Sequence, residues 1–224
     1  MGKKIVVIAP HADDEVIGCG GMILKEIDKG SSISWILMTS VAEETGYSSE
    51  FTEQRANHIQ SIKDFFGIHH FFSLGYKPAS LEMLNKADVI ENLAHIVKKL
   101  QPTDLFVPYP GDSHSDHNFT FNCAKAFIKP FRYEYLKRVF CYETISETDQ
   151  NFTPDSHYFK PNSFVNISPY IDRKIKAALI YETEFKDHPF PRSAENIKAL
   201  AIHRGASSNY EYAEAFMMLL NRQD

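Results

Sequence analysis

The sequence predicts an α/β protein, a three-layer α/β/α sandwich of Rossmann-like type built on a mainly parallel sheet. Two observations carry this expectation. Short apolar, β-branched-rich runs alternate with stretches whose apolar residues recur at helical spacing. Dense polar clusters follow the first and fourth of these runs, at the carboxyl edge where open α/β sheets bind ligands.

Ile5–Ala9 reads as the first strand, and Val16, Ile17, Ile23, Leu24 and Ile27 mark a helix over 16–29. A second strand is expected near 34–39. After it come a polar loop with Glu43 and Glu44, then a helix over 51–66 that Gly67 stops. Phe71–Leu74 reads as a third strand. Val89, Leu93, Ile96, Val97 and Leu100 mark a helix closed by Pro102, and Leu105–Val107 make a fourth strand. The last third is less regular, with strands expected around 139–143, 164–167 and 215–219 and helices near 172–183 and 193–204. Repeats, linkers and low-complexity tracts are absent from the sequence, so one domain over 1–224 is expected.

With 43% hydrophobic and 24% charged residues, the composition is that of an ordinary globular chain. The net charge of −5 and the lack of a long basic stripe argue against nucleic acid as a partner. No apolar run approaches the roughly 20 residues of a membrane span. The five apolar residues from Ile5 are too few for a signal-peptide core, and Val6 stands where a myristoylation signal needs Ser or Thr, so a cytoplasmic protein is expected. The three cysteines, Cys19, Cys123 and Cys141, have no paired spacing and read as buried free thiols.

Pro10-His11-Ala12-Asp13-Asp14-Glu15 follows the first strand, and Gly111-Asp112-Ser113-His114-Ser115-Asp116-His117 follows the fourth. If those strands are neighbours, the clusters face each other at the topological switch point. Bunched carboxylates repel unless a cation stabilises their charged forms. Two histidines and an aspartate would give zinc its three protein ligands, and the fourth position of such a site holds water whose pKa falls to about 7. Successive residues point different ways, so one of Asp13 and Asp14 is free to act as a base, and the pattern does not say which. Helix capping would explain either carboxylate alone; two such clusters in one α/β frame favour a metal site.

These residues resemble the PIG-L family, the LmbE-like N-acetylglucosaminyl deacetylases. Its Ala-His-Pro-Asp-Asp-Glu motif stands here as Pro-His-Ala-Asp-Asp-Glu, and its His-x-Asp-His as His114-Ser115-Asp116-His117. Further likeness runs from Tyr142-Glu143 through Pro191-Arg192-Ser193 to Arg204-Gly205 and Tyr212–Phe216. The resemblance implies zinc held by His11, Asp14 and His117, with Asp13 as general base. It also implies a positively charged His114 that stabilises the tetrahedral intermediate, its ring held by Asp116. Arg55, Asp112, Tyr142 and Arg192 fall at recurrent positions and are expected to meet substrate, while Arg204 and Glu214 recur without an evident role. Ala12 for the usual proline removes stiffness but no reacting group. The implied reaction is removal of the acetyl group from an N-acetylated amino sugar, free or in a glycoconjugate, by a chain that can form homo-oligomers. Tyr109 and Phe159 could stack on a sugar or belong to the core.

Two other readings are weaker. A dinucleotide-binding protein would need G-x-G-x-x-G directly after the strand, but Gly18-Cys19-Gly20-Gly21 comes late and Asp13–Glu15 would repel pyrophosphate. A non-catalytic sugar- or metal-binding protein of the same fold would need neither Asp13 nor His114.

Overall fold

A seven-stranded mixed sheet frames the computed structural model, which describes residues 2–152 and 158–223. Its strands are β1 (Lys4–Ala9), β2 (Ser32–Thr39), β3 (His70–Tyr76), β4 (Asp104–Pro108), β5 (Arg138–Tyr142), β6 (Ser163–Asn166) and β7 (Ala213–Asn221), in the order β3-β2-β1-β4-β5-β7-β6. β1 to β5 pair in parallel, and β7 runs antiparallel to both β5 and β6. The described α-helices are α1 (Asp14–Asp28), α2 (Ser49–Phe66), α3 (Lys86–Leu100), α4 (Ser115–Ala124), α5 (Ile171–Ala178) and α6 (Ala194–Ala206). None is long and apolar enough to cross a membrane.

Alternation along β1 divides the core. Ile5, Val7 and Ala9 join a cluster with Val16 and Ile23 of α1, Phe66 of α2, Ala177 of α5 and Ile197 of α6. Val6 and Ile8 join another with Val89 and Leu93 of α3 and Cys123 of α4. Both faces of the central strands are thus covered, which is why their sequences run apolar without a break. All three cysteines are buried and free.

The helix ends follow local chemistry. The Ser48 side chain accepts from Phe51 N–H to start α2, and Gly67, at φ 63°, ends it in the left-handed conformation that suits glycine. Two elements differ from expectation. α5 ends at Ala178, short of residue 183. α4 had no helical signal, because its buried residues Asp116, His117 and Thr120 are polar and leave little apolar stripe to read. Arg204 and Glu214 tie the structure together: Arg204 pairs through two nitrogens with Glu143 at 2.8 and 2.6 Å. Glu214 accepts from Gly21 and Met22 N–H inside α1 and pairs with buried Lys174, all at 2.7 Å.

β1 lies between β2 and β4, so the strand order reverses beside it. The two polar clusters therefore leave adjacent strands at one edge of the sheet, at its switch point.

Candidate active site

His11 and Asp14 come from the turn after β1 and the start of α1, and His117 comes from the first turn of α4. Their side chains converge. Asp14 Oδ2 lies 3.5 Å from His11 Nδ1 and 3.3 Å from His117 Nε2, and one donor atom from each of the three falls within 4.8 Å of the others. Each imidazole is anchored through its other nitrogen: His11 Nε2 meets Asp116 Oδ2 at 3.0 Å, and His117 Nδ1 meets Asp112 Oδ2 at 2.7 Å. Carboxylate anchoring of this kind fixes the ring and raises its basicity as a ligand. Asp14 Oδ1 and His117 Nε2 are buried without a hydrogen-bond partner among the described residues. Buried polar atoms are rarely left so, and a cation bound between them satisfies both. The trio therefore fits a divalent metal with nitrogen and oxygen ligands. A second grouping, His11, His114 and Asp116, also has donor atoms within 4.8 Å. It fits less well, because Asp116 Oδ2 is already held by His11 and by Ala79 N–H at 2.7 Å.

Charges in the trio support one another. Burial works against charge on His117, yet Asp14 and the Asp112 hydrogen bond raise its pKa to about 10. His11 is raised to about 9, burial being overcome by Asp116 and Asp14. Burial alone would raise Asp14, but the two histidines hold it well below the usual carboxylate range. A bound metal replaces those protons as the positive charge.

Asp13 stands beside the trio with φ 142° and ψ −27°, a conformation side-chain-bearing residues seldom adopt. Its N–H donates to Glu15 Oε2 at 3.1 Å, and Tyr181 O–H donates to Glu15 Oε1 at 2.7 Å. Arg192 Nη1 donates to Asp13 Oδ2 at 2.5 Å, while Asp13 Oδ1 is buried and without a hydrogen-bond partner among the described residues. Burial drives Asp13 up to about 6 against the pull of Arg192, and pushes Glu15 to about 8 against the Tyr181 hydrogen bond.

Several expected roles need correction. Asp116 does not hold the His114 ring by its carboxylate, which is occupied by His11, Ala79 N–H and Leu81 N–H. Instead His114 Nδ1 accepts from Asp116 N–H at 3.1 Å as the cap of α4. Burial, reinforced by the charges of His11 and His117, lowers the His114 pKa, which works against the positive charge expected of the ring, and the acceptor role of Nδ1 leaves Nε2 as its donor. Tyr142 is fully buried and donates its hydroxyl to Ile8 O at 2.9 Å, a core role with no route to substrate. Asp112 holds His117 and accepts from Thr148 Oγ1 at 2.5 Å, so it orients a ligand residue. Tyr109 is buried and meets Phe159 edge to face at 5.3 Å, away from the site cavity.

A cavity of about 330 Å³ opens beside His11, Asp13 and His114, and Arg55 and Arg192 both line it. Arg55 is buried, donates to Ala12 O at 2.9 Å and pairs with Glu184. It thereby restrains the backbone that the missing proline leaves free. Sequence reasoning missed Tyr47, Phe51 and Ile59, which line the same cavity with Arg55. The signal was present as a four-residue spacing over 47, 51, 55 and 59, which places Phe51, Arg55 and Ile59 on one side of α2 with Tyr47 just ahead of it.

The sequence profile of PIG-L, described as GlcNAc-PI de-N-acetylase, matches residues 6–128. A diacetylchitobiose deacetylase of Thermococcus kodakarensis is 24% identical over 222 residues, covering 95% of this chain and 81% of that protein. The crystal structure of the conserved protein TT1542 from Thermus thermophilus aligns over 99% of this chain and 97% of its own, with a TM-score of 0.78 at 26% identity. The N,N'-diacetylchitobiose deacetylase from Pyrococcus horikoshii, complexed with its inhibitor MPG, aligns over 97% and 84% with a TM-score of 0.77 at 24% identity. With the profile matched over more than half the chain and both motifs meeting at one centre, this protein belongs to the PIG-L, or GlcNAc-PI de-N-acetylase, family.

Proposed function

We propose that the chain is a zinc-dependent hydrolase that removes the acetyl group from an N-acetylated amino sugar, free or within a glycoconjugate. Its frame is a single catalytic domain with helices over both faces of the sheet, the three-layer arrangement. The observation that carries the reading is the buried trio His11, Asp14 and His117, with two ring nitrogens anchored on carboxylates and two inner polar atoms left for a cation. Relatives whose names describe deacetylation of N-acetylated sugars support it.

Zinc, when bound by the trio, supplies Lewis acidity and makes water acidic enough to ionise near neutral pH. Asp13 stands next to the trio with one carboxylate oxygen held by Arg192 and the other buried and unpartnered among the described residues, ready to take a proton from the attacking water. His114 lines the cavity with Nδ1 engaged by backbone N–H, which leaves Nε2–H to serve as a donor to the oxygen that gains charge. Asp13 or His114 then returns a proton to the leaving amine, giving acetate and the amino sugar.

The test is release of free amine from N-acetylglucosaminides by the zinc-loaded protein, alongside an Asp13→Asn variant. The reading requires amine release by the wild type and loss of nearly all of it in the variant. Equal rates in the two proteins would contradict it.

A further inference from the structure

The charged groups of the cavity are matched among themselves. Arg55 pairs through its terminal nitrogens with Ala12 O and Glu184, its Nε being buried without a partner among the described residues, and Arg192 pairs with Asp13, Ser146 and Glu147. The described lining includes no lysine. A phosphate or carboxylate at the arginine side of this cavity would have to compete with Glu184 and Asp13 for guanidiniums they already hold, and a buried charge left without a partner is costly. Tyr47 and Phe51 instead present aromatic surface. Their rings stack, with centroids 5.6 Å apart and planes 20° from parallel. Arg55 lies 5.6 Å from the Phe51 centroid and so helps fix that ring. Tyr47 is 36% exposed, while Asp13, which lines the same cavity, is buried.

We propose that Tyr47 and Phe51 form a platform for an uncharged sugar ring carried as the aglycone of the N-acetylated sugar. This rests on the deacetylase reading and narrows its substrate class to neutral glycosides. A pyranose presents weakly positive C–H bonds on one face, which suit the negative face of an aromatic ring, while its hydroxyls stay in water at the rim. The same two residues also pack the first turn of α2, much as a hydrophobic staple does. A purely structural pair and a binding platform differ in what they do to a ligand.

The test is saturation-transfer NMR with the wild-type chain stripped of metal by a chelator, so that binding is read without turnover and Asp13 keeps its pairing with Arg192. N,N'-diacetylchitobiose serves as the neutral probe and UDP-N-acetylglucosamine as the anionic one. The platform predicts transfer to ring protons of both sugars of the neutral probe and weaker binding of the anionic one. Tyr47→Ala and Phe51→Ala should raise the dissociation constant of the neutral probe about tenfold, while Tyr47→Phe holds near the parent value. Tyr47→Phe against Tyr47→Ala decides the matter even if Phe51→Ala unfolds. Unchanged affinity in Tyr47→Ala, transfer confined to one sugar, or tighter binding of the nucleotide sugar would each overturn the proposal. Platform binding that is found while the wild type releases no amine from any N-acetylated sugar would instead remove the deacetylase reading and leave the platform standing.

Discussion

Arg192 donates to Asp13 across 179 residues of sequence, Nη1 to Oδ2 at 2.5 Å, while its other nitrogens meet Ser146 and Glu147. The guanidinium thus fixes one oxygen of the proposed base and leaves the other without a partner among the described residues. Arg192 acts through Asp13, as a positioning residue. Arg192→Ala should lower kcat about 10²-fold with KM and zinc content little changed, and Arg192→Lys should recover part of the loss. Steady-state kinetics with metal analysis on each variant checks this. Loss of zinc in step with activity would show a structural role instead.

Asp13 itself is the base and not a ligand in this account. Asp13→Asn should keep zinc and lose on the order of 10² to 10⁴ in kcat.

The backbone at Asp13 needs support, since a residue in such a conformation costs on the order of 1–3 kcal/mol. Tyr181→Phe removes the hydroxyl that holds buried Glu15, which in turn holds Asp13 N–H. Unfolding free energy should fall by about 1–3 kcal/mol in denaturant titrations. kcat should fall as well, with zinc retained. A variant as stable and active as the wild type would show that Glu15 needs no such anchor.

Asp112 and Asp116 orient the two imidazoles, so Asp112→Asn and Asp116→Asn should each weaken zinc affinity about 10- to 100-fold. Competition with a fluorescent chelator measures this. Asp116→Asn should also loosen the segment at Ala79 and Leu81, whose N–H groups it accepts, visible as faster amide exchange there.

Much of this was legible in the sequence, and for physical reasons. β1 and β4 announce themselves by unbroken apolar runs because both faces are covered, and α2 and α3 by apolar spacing and end residues such as Gly67. The motif residues were legible because bunched carboxylates and imidazoles need a cation. What was not legible depends on tertiary partners. Nothing local says that Tyr142 points into the core toward Ile8 O, or that the Asp116 carboxylate turns to His11 and leaves His114 to the backbone. α4 was hidden because it buries polar residues for the site. Arg192 could be named from its motif, but its grip on Asp13 rests on a loop far along the chain.

The central claim is that His11, Asp14 and His117, brought from the segments that follow two neighbouring strands, hold one metal ion. Metal content per chain, measured by plasma mass spectrometry on gel-filtered wild type and His117→Ala, tests it most directly. The account predicts one zinc per wild-type chain and essentially none in His117→Ala, since two protein ligands are left. One zinc per chain in folded His117→Ala would contradict it.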